Sequence, residues 1–517
     1  SPPPPSAVTY HTHVRSILES ACVGCHEQGG AGPFPLTNYG EVGPLATLIV
    51  GSVTSGSMPP WNPAPDCRPI KDERVLSEEE LAAIVAWEQA GAPEGDPADY
   101  PGPPPAAPPL ATPDLLLDGG VGYLMNPLLP DDYRCFPLEH TFPSKTYITG
   151  SNVYPDQKPV VHHVLFYAVP PQNVAAMTAK DEADPGPGYQ CFGGPAVGDT
   201  PLIGGWVPGM QPVFFPKDAA IELDAGSKIV MQVHYNALGV SDPSSIQEDR
   251  TQVGLWTLQP GEKPLYQVQI DPLANTGIVI EAGDPDSIHA QSFQVLTAGT
   301  LIGVTPHMHL LGTRIGVQHR SGATGVNSCL VDVPQWDFNW QQLYWFDKQH
   351  YQPLMPGDRF ELECAYDNSA SNQPVVNGEQ LSPKKVQWGD GTLDEMCLNY
   401  VVTMRLAPGD TMCGALPACG KACPDGDSVC FLSCYAQTGN ECLNCIGDPV
   451  VDCMIDHCFS EISALSGCLS SCGPNQLICL AGQCSDEFDA AYKCIEPHME
   501  AGACDADFAA CDLVYGD

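Results

Sequence analysis

Five histidines and a methionine carry the chemistry this chain can offer: the adjacent His162 and His163, then His234, then His307 and His309 flanking Met308, and finally Met396. Imidazole is a borderline ligand that suits copper, and a thioether favours Cu(I) over zinc or the hard cations. In an extended strand, residues two apart share a face, so His307 and His309 can grip one ion while Met308 points away. The histidines must be positioned by strands. Val160–Tyr167 and Ile229–Tyr235 are dense in β-branched and aromatic residues, the composition of half-buried strands. Adjacent His162 and His163 would project to opposite faces of an ideal strand. If both bind one metal, the strand twists or the two rings use different nitrogens.

A lone buried histidine is usually a core residue with a hydrogen-bond partner, and a lone methionine usually fills a packing gap. Here the pattern is joint. HHVLFY (162–167), MQVHYN (231–236), HMHLLG (307–312) and DEMCLNY (394–400) follow one another over residues 130–408. In that order they resemble the type II copper, ascorbate-dependent monooxygenases, the family of peptidylglycine α-hydroxylating and dopamine β-hydroxylating enzymes. The resemblance implies two jelly-roll-like β-sandwich domains, each holding one copper across an open, solvent-filled cleft. It implies an electron-storing copper on His162, His163 and His234 and an oxygen-activating copper on His307, His309 and Met396. It also implies a disulfide between Cys364 and Cys397 that ties down the strand bearing the methionine.

Composition sets the compartment and excludes some partners. The chain has 517 residues, too many for one core. Its 53 prolines and 50 glycines fit many turns between short strands. A formal net charge of −41 argues against nucleic acid or an anionic membrane as partner. No apolar run is long enough to span a bilayer. The first residue is Ser1, followed by four prolines, from which we expect a targeting segment already removed or left out. The 24 cysteines point to an oxidising compartment, so the chain is expected to be exported: periplasmic, cell-surface or secreted. Cys135 and Cys191 bracket the His162-His163 strand and are expected partners. Cys67 and Cys329 have no obvious mates, and the remaining sixteen fall between Cys413 and Cys511.

Outside the copper residues, Cys22-Val23-Gly24-Cys25-His26 has the C-x-x-C-H arrangement of c-type haem attachment. Two thioethers would form to the haem, His26 would be the proximal iron ligand, and Met58 in Ser57-Met58-Pro59-Pro60-Trp61 could be the second axial ligand. A His/Met pair raises the reduction potential. Residues 10–21 predict a helix, and Ser77-Glu78-Glu79-Glu80 is a capping box opening another that stops at Gly91. This order resembles a class I-like cytochrome c, so residues 1–97 are read as a small all-α haem domain. Residues 98–113 are proline-rich and predict a semi-rigid polyproline spacer that holds the haem near the copper module without permanent packing. The copper sandwiches are assigned to 114–265 and 266–408, with the boundary near Gly261-Glu262-Lys263-Pro264. From 409 to 517, the pairs Cys419/Cys423, Cys430/Cys434 and Cys468/Cys472 recur at helical spacing. They predict a disulfide-stapled helical domain, with helices expected at Phe431–Ser433, Met454–Asp456 and Phe488–Ala491. The fold class is therefore mainly β with small helical domains at both ends.

The resemblance implies insertion of one oxygen atom of O₂ into a C–H bond, with one electron from each copper. Gln232, two residues before His234, matches a family glutamine that could orient water or substrate. Tyr400 matches a family tyrosine near the substrate. The peptide-clamping arginine position is Thr305 and the neighbouring asparagine position is Leu398, so a glycine-extended peptide is disfavoured and the substrate is an unassigned small molecule or peptide. The cofactors expected are two copper ions and one covalently attached haem c. An external donor would reduce the haem, which relays electrons to copper. The rival reading is a non-catalytic haem/copper electron-transfer or copper-handling protein.

Overall fold

The structure is a computed structural model. It describes residues 8–28, 32–61, 63–103, 110–127, 129, 131–237, 240, 242–376, 379–407, 434, 437, 457–469 and 484–500. Strands of five residues or more are β1 (Asp131–Pro137), β2 (Thr146–Tyr154), β3 (Val161–Val169), β4 (Leu202–Trp206), β5 (Ala219–Leu223), β6 (Lys228–Asn236) and β7 (Gln252–Thr257) in the first half. The second half adds β8 (Tyr266–Ala274), β9 (Ser287–Gln294), β10 (Gly299–His307), β11 (Gly312–Arg320), β12 (Asn327–Val333), β13 (Arg359–Tyr366) and β14 (Leu398–Leu406). Helices α1 (Arg15–Ala21), α2 (Ala46–Thr54), α3 (Glu78–Gln89), α4 (Pro171–Ala183) and α5 (Ser485–Glu500) are few by comparison. The molecule is thus mainly β, as the density of turn formers and β-branched runs predicts.

A five-stranded sheet carries β1, β6, β3 and β4 side by side, and a four-stranded sheet runs β9-β13-β11-β12. A ten-stranded sheet has the central order β7-β2-β5-β8-β14-β10. Parallel pairing of Ala219 and Ala220 with Tyr266 and Gln267 joins β5 to β8. The boundary expected near residues 261–264 therefore falls at a turn inside one continuous sheet. The apolar cores agree: one runs from Leu117 to Leu255 and draws in Val268, Ile302 and Val402 from the second half. Another gathers Leu273, Ile315, Leu362 and Val401. Sharing side chains across the boundary resists sliding of one half on the other, because a packed interior does not deform continuously.

At the N-terminus, a π-helical turn at Tyr10–Val14 leads into α1. The expected capping box is present: Ser77 accepts from the Glu80 N–H and the Glu80 carboxylate from the Ser77 N–H. Gly91 follows α3 with φ +85°, a left-handed turn that glycine adopts without strain. Tyr10, Leu18, Val42, Ile84 and Trp87 form a separate small core.

The structure corrects the loosely tethered arrangement expected for this unit. Cys67 and Cys329, unpaired in the sequence reading, form a disulfide across 262 positions. Beside it the Arg68 guanidinium donates to the carbonyls of Cys329 and His350 and to Gln352. Ala64 and Lys71 pair through their N–H groups with Asp332 and Trp345, and Ile70 bridges Phe346. The chain between α2 and α3 is therefore fastened to the second half of the β-structure, covalently and by backbone hydrogen bonds. The proline-rich spacer does not set that distance; of it, residues 104–109 lie outside the described residues.

Cys135–Cys191 and Cys364–Cys397 are paired as expected. In the tail, Cys458–Cys494 and Cys468–Cys484 are bonded. The helix expected at Phe488–Ala491 lies within α5. The helices expected at Phe431–Ser433 and Met454–Asp456, and Cys419, Cys423, Cys430 and Cys472, lie outside the described residues. No helix among the described residues is long and apolar enough to cross a membrane. The disulfides are consistent with an oxidising compartment.

Candidate metal centre

The adjacent histidines reach one point because β3 is bulged. Val161 pairs with Tyr235 and His163 with His234, leaving His162 as an extra residue opposite no partner. An inserted residue bends the strand and re-aims its side chain, so both rings turn to the face on which His234 stands. All three offer the same nitrogen: His163 Nδ1 lies 3.3 Å from His162 Nδ1 and 3.3 Å from His234 Nδ1. Of the two alternatives the sequence leaves open, the strand distorts and the nitrogens are alike.

Neighbouring residues hold these rings. His234 stacks on Tyr133 at 4.1 Å and 6°, and its Nε2 meets Asp131 Oδ1 at 2.8 Å. Asp131 also accepts from Asn236 Nδ2 at 2.9 Å and from the Thr392 hydroxyl at 2.6 Å. Burial alone would raise the Asp131 carboxyl, but the bonds from His234, Thr392 and Asn236 hold it down at about 2. An anion there keeps the His234 proton on Nε2 and the Nδ1 lone pair free, the arrangement by which an outer carboxylate orients a metal ligand.

The second set is arranged the other way round. β10 ends at His307, and Met308 is buried in the core while His309 follows in a turn. His307 Nδ1 donates to Gln341 Oε1 at 2.6 Å and His309 Nδ1 to the Asp394 carbonyl at 3.1 Å. Both Nε2 atoms are left as lone pairs, on rings 5.2 Å apart at 88°. Glu395, wholly buried, accepts the N–H groups of His309 and Leu311 at 2.9 and 2.6 Å. Burial raises its carboxyl to about 8 against those bonds. Cys364–Cys397 and the Tyr366 hydroxyl, which donates to the Met396 carbonyl, fix the methionine's backbone. Burial first, then neighbouring histidines, pushes His162 and His307 down to about 3; burial likewise takes His309 to about 4 and His163 well below its ordinary range. Neutral rings with unshared nitrogen lone pairs are what a transition metal requires, and the donor chemistry fits copper.

The two sets are close together, unlike the open, solvent-filled cleft the resemblance implies. The rings of His163 and His307 are 6.4 Å apart. Phe338 stacks on His162 at 4.9 Å and stands 6.0 Å from His309. Thr392, on the loop before Met396, is bonded to Asp131 of the first half. The continuous sheet and this bond account for the closeness.

A cavity of about 340 Å³ opens beside both sets and is lined by His163, His307, His309, Met396, Gln232 and Tyr400 together with Thr305 and Leu398. Its remaining wall is mostly aliphatic and aromatic, with Trp206, Trp345 and Trp388 prominent, and no lysine or arginine lines it. Asp390 is the one acidic side chain there. Gln232 is buried and its amide points at Cys191 Sγ, 3.5 Å away. Tyr400 pairs with Thr305 across β14 and β10, and burial followed by Asp390 raises its hydroxyl to about 12.

At the N-terminal motif, Cys22 and Cys25 are the cysteines without a disulfide among the described residues. His26 Nδ1 donates to the Phe34 carbonyl at 2.9 Å, which leaves Nε2 for a metal. Gly32 packs so tightly on that ring that a Cβ would sit 2.6 Å from it. Met58 packs at the edge of the same small core. Two free thiols and an unshared His26 Nε2 are the donors that covalent haem attachment would use.

Sequence reasoning missed Asp131, Gln341 and Glu395, none of which has a spacing that marks it; only their fixed hydrogen bonds identify them.

No curated protein matches the chain. Two solved structures show weak likeness. The major capsid protein P2 from bacteriophage PM2 is 7% identical with a TM-score of 0.25, covering 57% of this chain and 98% of that one. The infectious bursal disease virus VP2 subviral particle is 11% identical with a TM-score of 0.14, covering 59% and 80%. At such scores neither bears on the fold. Residues 290–413, which include His307, His309, Met396 and Tyr400, match the family described as copper type II ascorbate-dependent monooxygenase, C-terminal domain. Over that stretch the chain is similar in sequence to the C-terminal domain of such an enzyme, and copper-dependent monooxygenase activity is what the match suggests.

Proposed function

We propose that this protein is a copper-dependent monooxygenase that hydroxylates a C–H bond of a small molecule with O₂. The observation that carries the reading is one cavity reached by His163 from the first set and by His307, His309 and Met396 from the second, with Nδ1 of His234 and Nε2 of His307 and His309 freed by their hydrogen bonds. His162, His163 and His234 would hold one copper through Nδ1. His307 and His309 would hold the other through Nε2, joined by the Met396 thioether. Bound there, copper supplies one-electron redox chemistry, with the sulfur-bearing site favouring Cu(I).

The chain's own residues do the rest. Asp131 and Gln341 fix ring orientation and Glu395 holds the backbone at His309, so that little rearrangement accompanies ligand binding. The apolar wall excludes water from a bound substrate and orients it by shape. Gln232 and Tyr400 supply the polar contacts within reach of it. With no cation lining the cavity and Asp390 at its edge, a carboxylate-bearing peptide finds no partner. A neutral, largely apolar molecule suits the wall.

In this reading residues 1–97 are a haem domain held by Cys22, Cys25 and His26, with Met58 as the second axial ligand, and it passes electrons from an external one-electron donor to the three-histidine site. Permanent fastening by Cys67–Cys329 supports such a relay, since a fixed donor has a higher effective concentration than a free one. Residues 114–265 and 266–408 are the copper-bearing sandwiches. The region 409–517 is a disulfide-stapled helical domain, and the protein is exported. Oxygen uptake by the reduced, copper-loaded protein across a panel of neutral, cationic and anionic small molecules tests the reading. Uptake matched by hydroxylated product supports it, and slow, substrate-independent reoxidation would leave an electron carrier instead.

A further inference from the structure

We infer that the turn at residues 336–342 is the electron conduit from the C-x-x-C-H motif to the copper ligands, with Trp340 and Phe338 as its two aromatic steps. The inference rests on the relay reading above and names its route.

The turn runs from the neighbourhood of Cys25 to the copper ligands. At its outer end, a Cβ placed on Gly209 would lie 3.7 Å from Cys25 Sγ and 3.8 Å from Trp340 Cζ3. The sulfur and the indole therefore both border the space left by a residue with no side chain, as does Arg74 Nη1 at 3.8 Å from the same point. A haem bonded through Cys25 carries its covalent edge at that sulfur. At the inner end Phe338 stacks on His162 at 4.9 Å and 18°. One residue, Asn339, separates the two rings in the chain. Gln341 reaches His307 Nδ1, and Trp336 Nε1 donates to the His309 carbonyl at 3.2 Å. The same few residues thus contact the three-histidine set and the His-x-His set, and Trp340 borders the Gly209 gap that Cys25 Sγ also borders.

The turn is also held still. Trp340 N–H donates to the Asp337 carbonyl at 3.0 Å, and Asn339 N–H to the Asp337 carboxylate at 2.9 Å. Gln341 Nε2 donates to the Phe338 carbonyl at 2.9 Å. Across the junction, the facing turn is gripped from both sides: Arg74 Nη2 donates to the Gly209 carbonyl at 3.0 Å, and Gln342 Nε2 to the Pro208 carbonyl at 3.4 Å. An apolar ring between donor and acceptor shortens the gap an electron must cross without adding a titratable group. The step itself oxidises ferrous haem to ferric and reduces Cu(II) to Cu(I). It breaks no bond and moves no proton.

The test is anaerobic stopped-flow on the full chain, loaded with haem and Cu(II). The haem is reduced with a sub-stoichiometric pulse of dithionite, and its reoxidation is followed in the haem absorption bands. Trp340→Leu is expected to slow reoxidation about tenfold or more, which corresponds to about 1.4 kcal/mol or more in the barrier. Trp340→Phe, which keeps a ring, should stay close to the native rate. Phe338→Leu should slow it likewise, acting at the far end. Haem spectrum, Cu(II) EPR signal and direct reduction of copper by ascorbate should be unchanged in Trp340→Leu, which separates a lost conduit from a disturbed fold. Native-like reoxidation in both leucine variants overturns the conduit while leaving the relay standing. If the native chain itself shows no reoxidation, the relay reading fails and the conduit fails with it.

Discussion

Replacing Asp131 with alanine strips out a carboxylate on which four hydrogen bonds converge, from His234, Asn236 and both the hydroxyl and the N–H of Thr392. Two effects follow. His234 loses the anion that fixes its proton on Nε2 and aims Nδ1 at the metal. Outer partners of this kind are worth roughly 10- to 100-fold in metal affinity, or about 1.4–2.8 kcal/mol. Of the donors left behind, His234 and Thr392 are buried, and unsatisfied buried donors cost about 1–3 kcal/mol of stability. Asp131→Asn keeps an acceptor oxygen for His234 and should lose less on both counts. The pH dependence has a definite sign. The Asp131 carboxyl is held at about 2 in the fold against an ordinary 3.8, so its contribution is complete above the ordinary value and disappears as pH falls through about 2. The deficit of the alanine variant should therefore be flat between about pH 5 and 8. Competitive copper titration against a chelator, read by the Cu(II) EPR signal, measures the affinity. Native affinity in Asp131→Ala would refute the reasoning that this carboxylate orients the ligand.

Three further outcomes are expected. Met396→Leu should keep the apolar volume but lose the Cu(I) preference of its site, seen as a weakened second cuprous equivalent in an anaerobic titration with the three-histidine site intact. Removing the staple with Cys67→Ser and Cys329→Ser should destabilise the chain by about 2–4 kcal/mol, and limited proteolysis should then cut first between α2 and α3. Asp358 is buried and accepts from His319 Nε2, Gly322 N–H and Met355 N–H; burial alone would raise its carboxyl, but these bonds lower it. Its stabilisation is present above the ordinary aspartate range and fades as pH falls through its lowered value. Asp358→Asn should thus cost about 1–3 kcal/mol near neutrality, and the gap in Tm to the native chain should close in acid.

What the sequence made legible was local. The β-branched runs around His162 and His234 became β3 and β6, and the capping box at Ser77 opened α3, because alternation and caps are set by neighbours a few residues apart. His163, His307, His309 and Met396 line one cavity, and His162 and His234 stand beside His163 behind its wall. The bulge at His162 was not legible, since pairing register belongs to two strands and is visible in neither alone. Nor was Glu395, whose bonds reach back to His309 and Leu311, or Asp131, whose partner Thr392 is 261 residues away. Cys67 and Cys329 were illegible for the same reason. The expectation of a tethered N-terminal unit failed because the proline-rich segment is conspicuous, whereas the disulfide and Arg68 that fasten the unit elsewhere are not. The closeness of His163 to His307 likewise depends on a sheet shared by both halves.

The central claim is that the chain binds copper at two distinct places, and the direct measurement is copper stoichiometry by elemental analysis with EPR on the native chain and on His163→Ala and His309→Ala. Two coppers per native chain, without the intense thiolate absorption of a blue site, and one in each variant is the result expected. A native chain that holds a single copper or none, or two variants that each still hold both, would contradict the account.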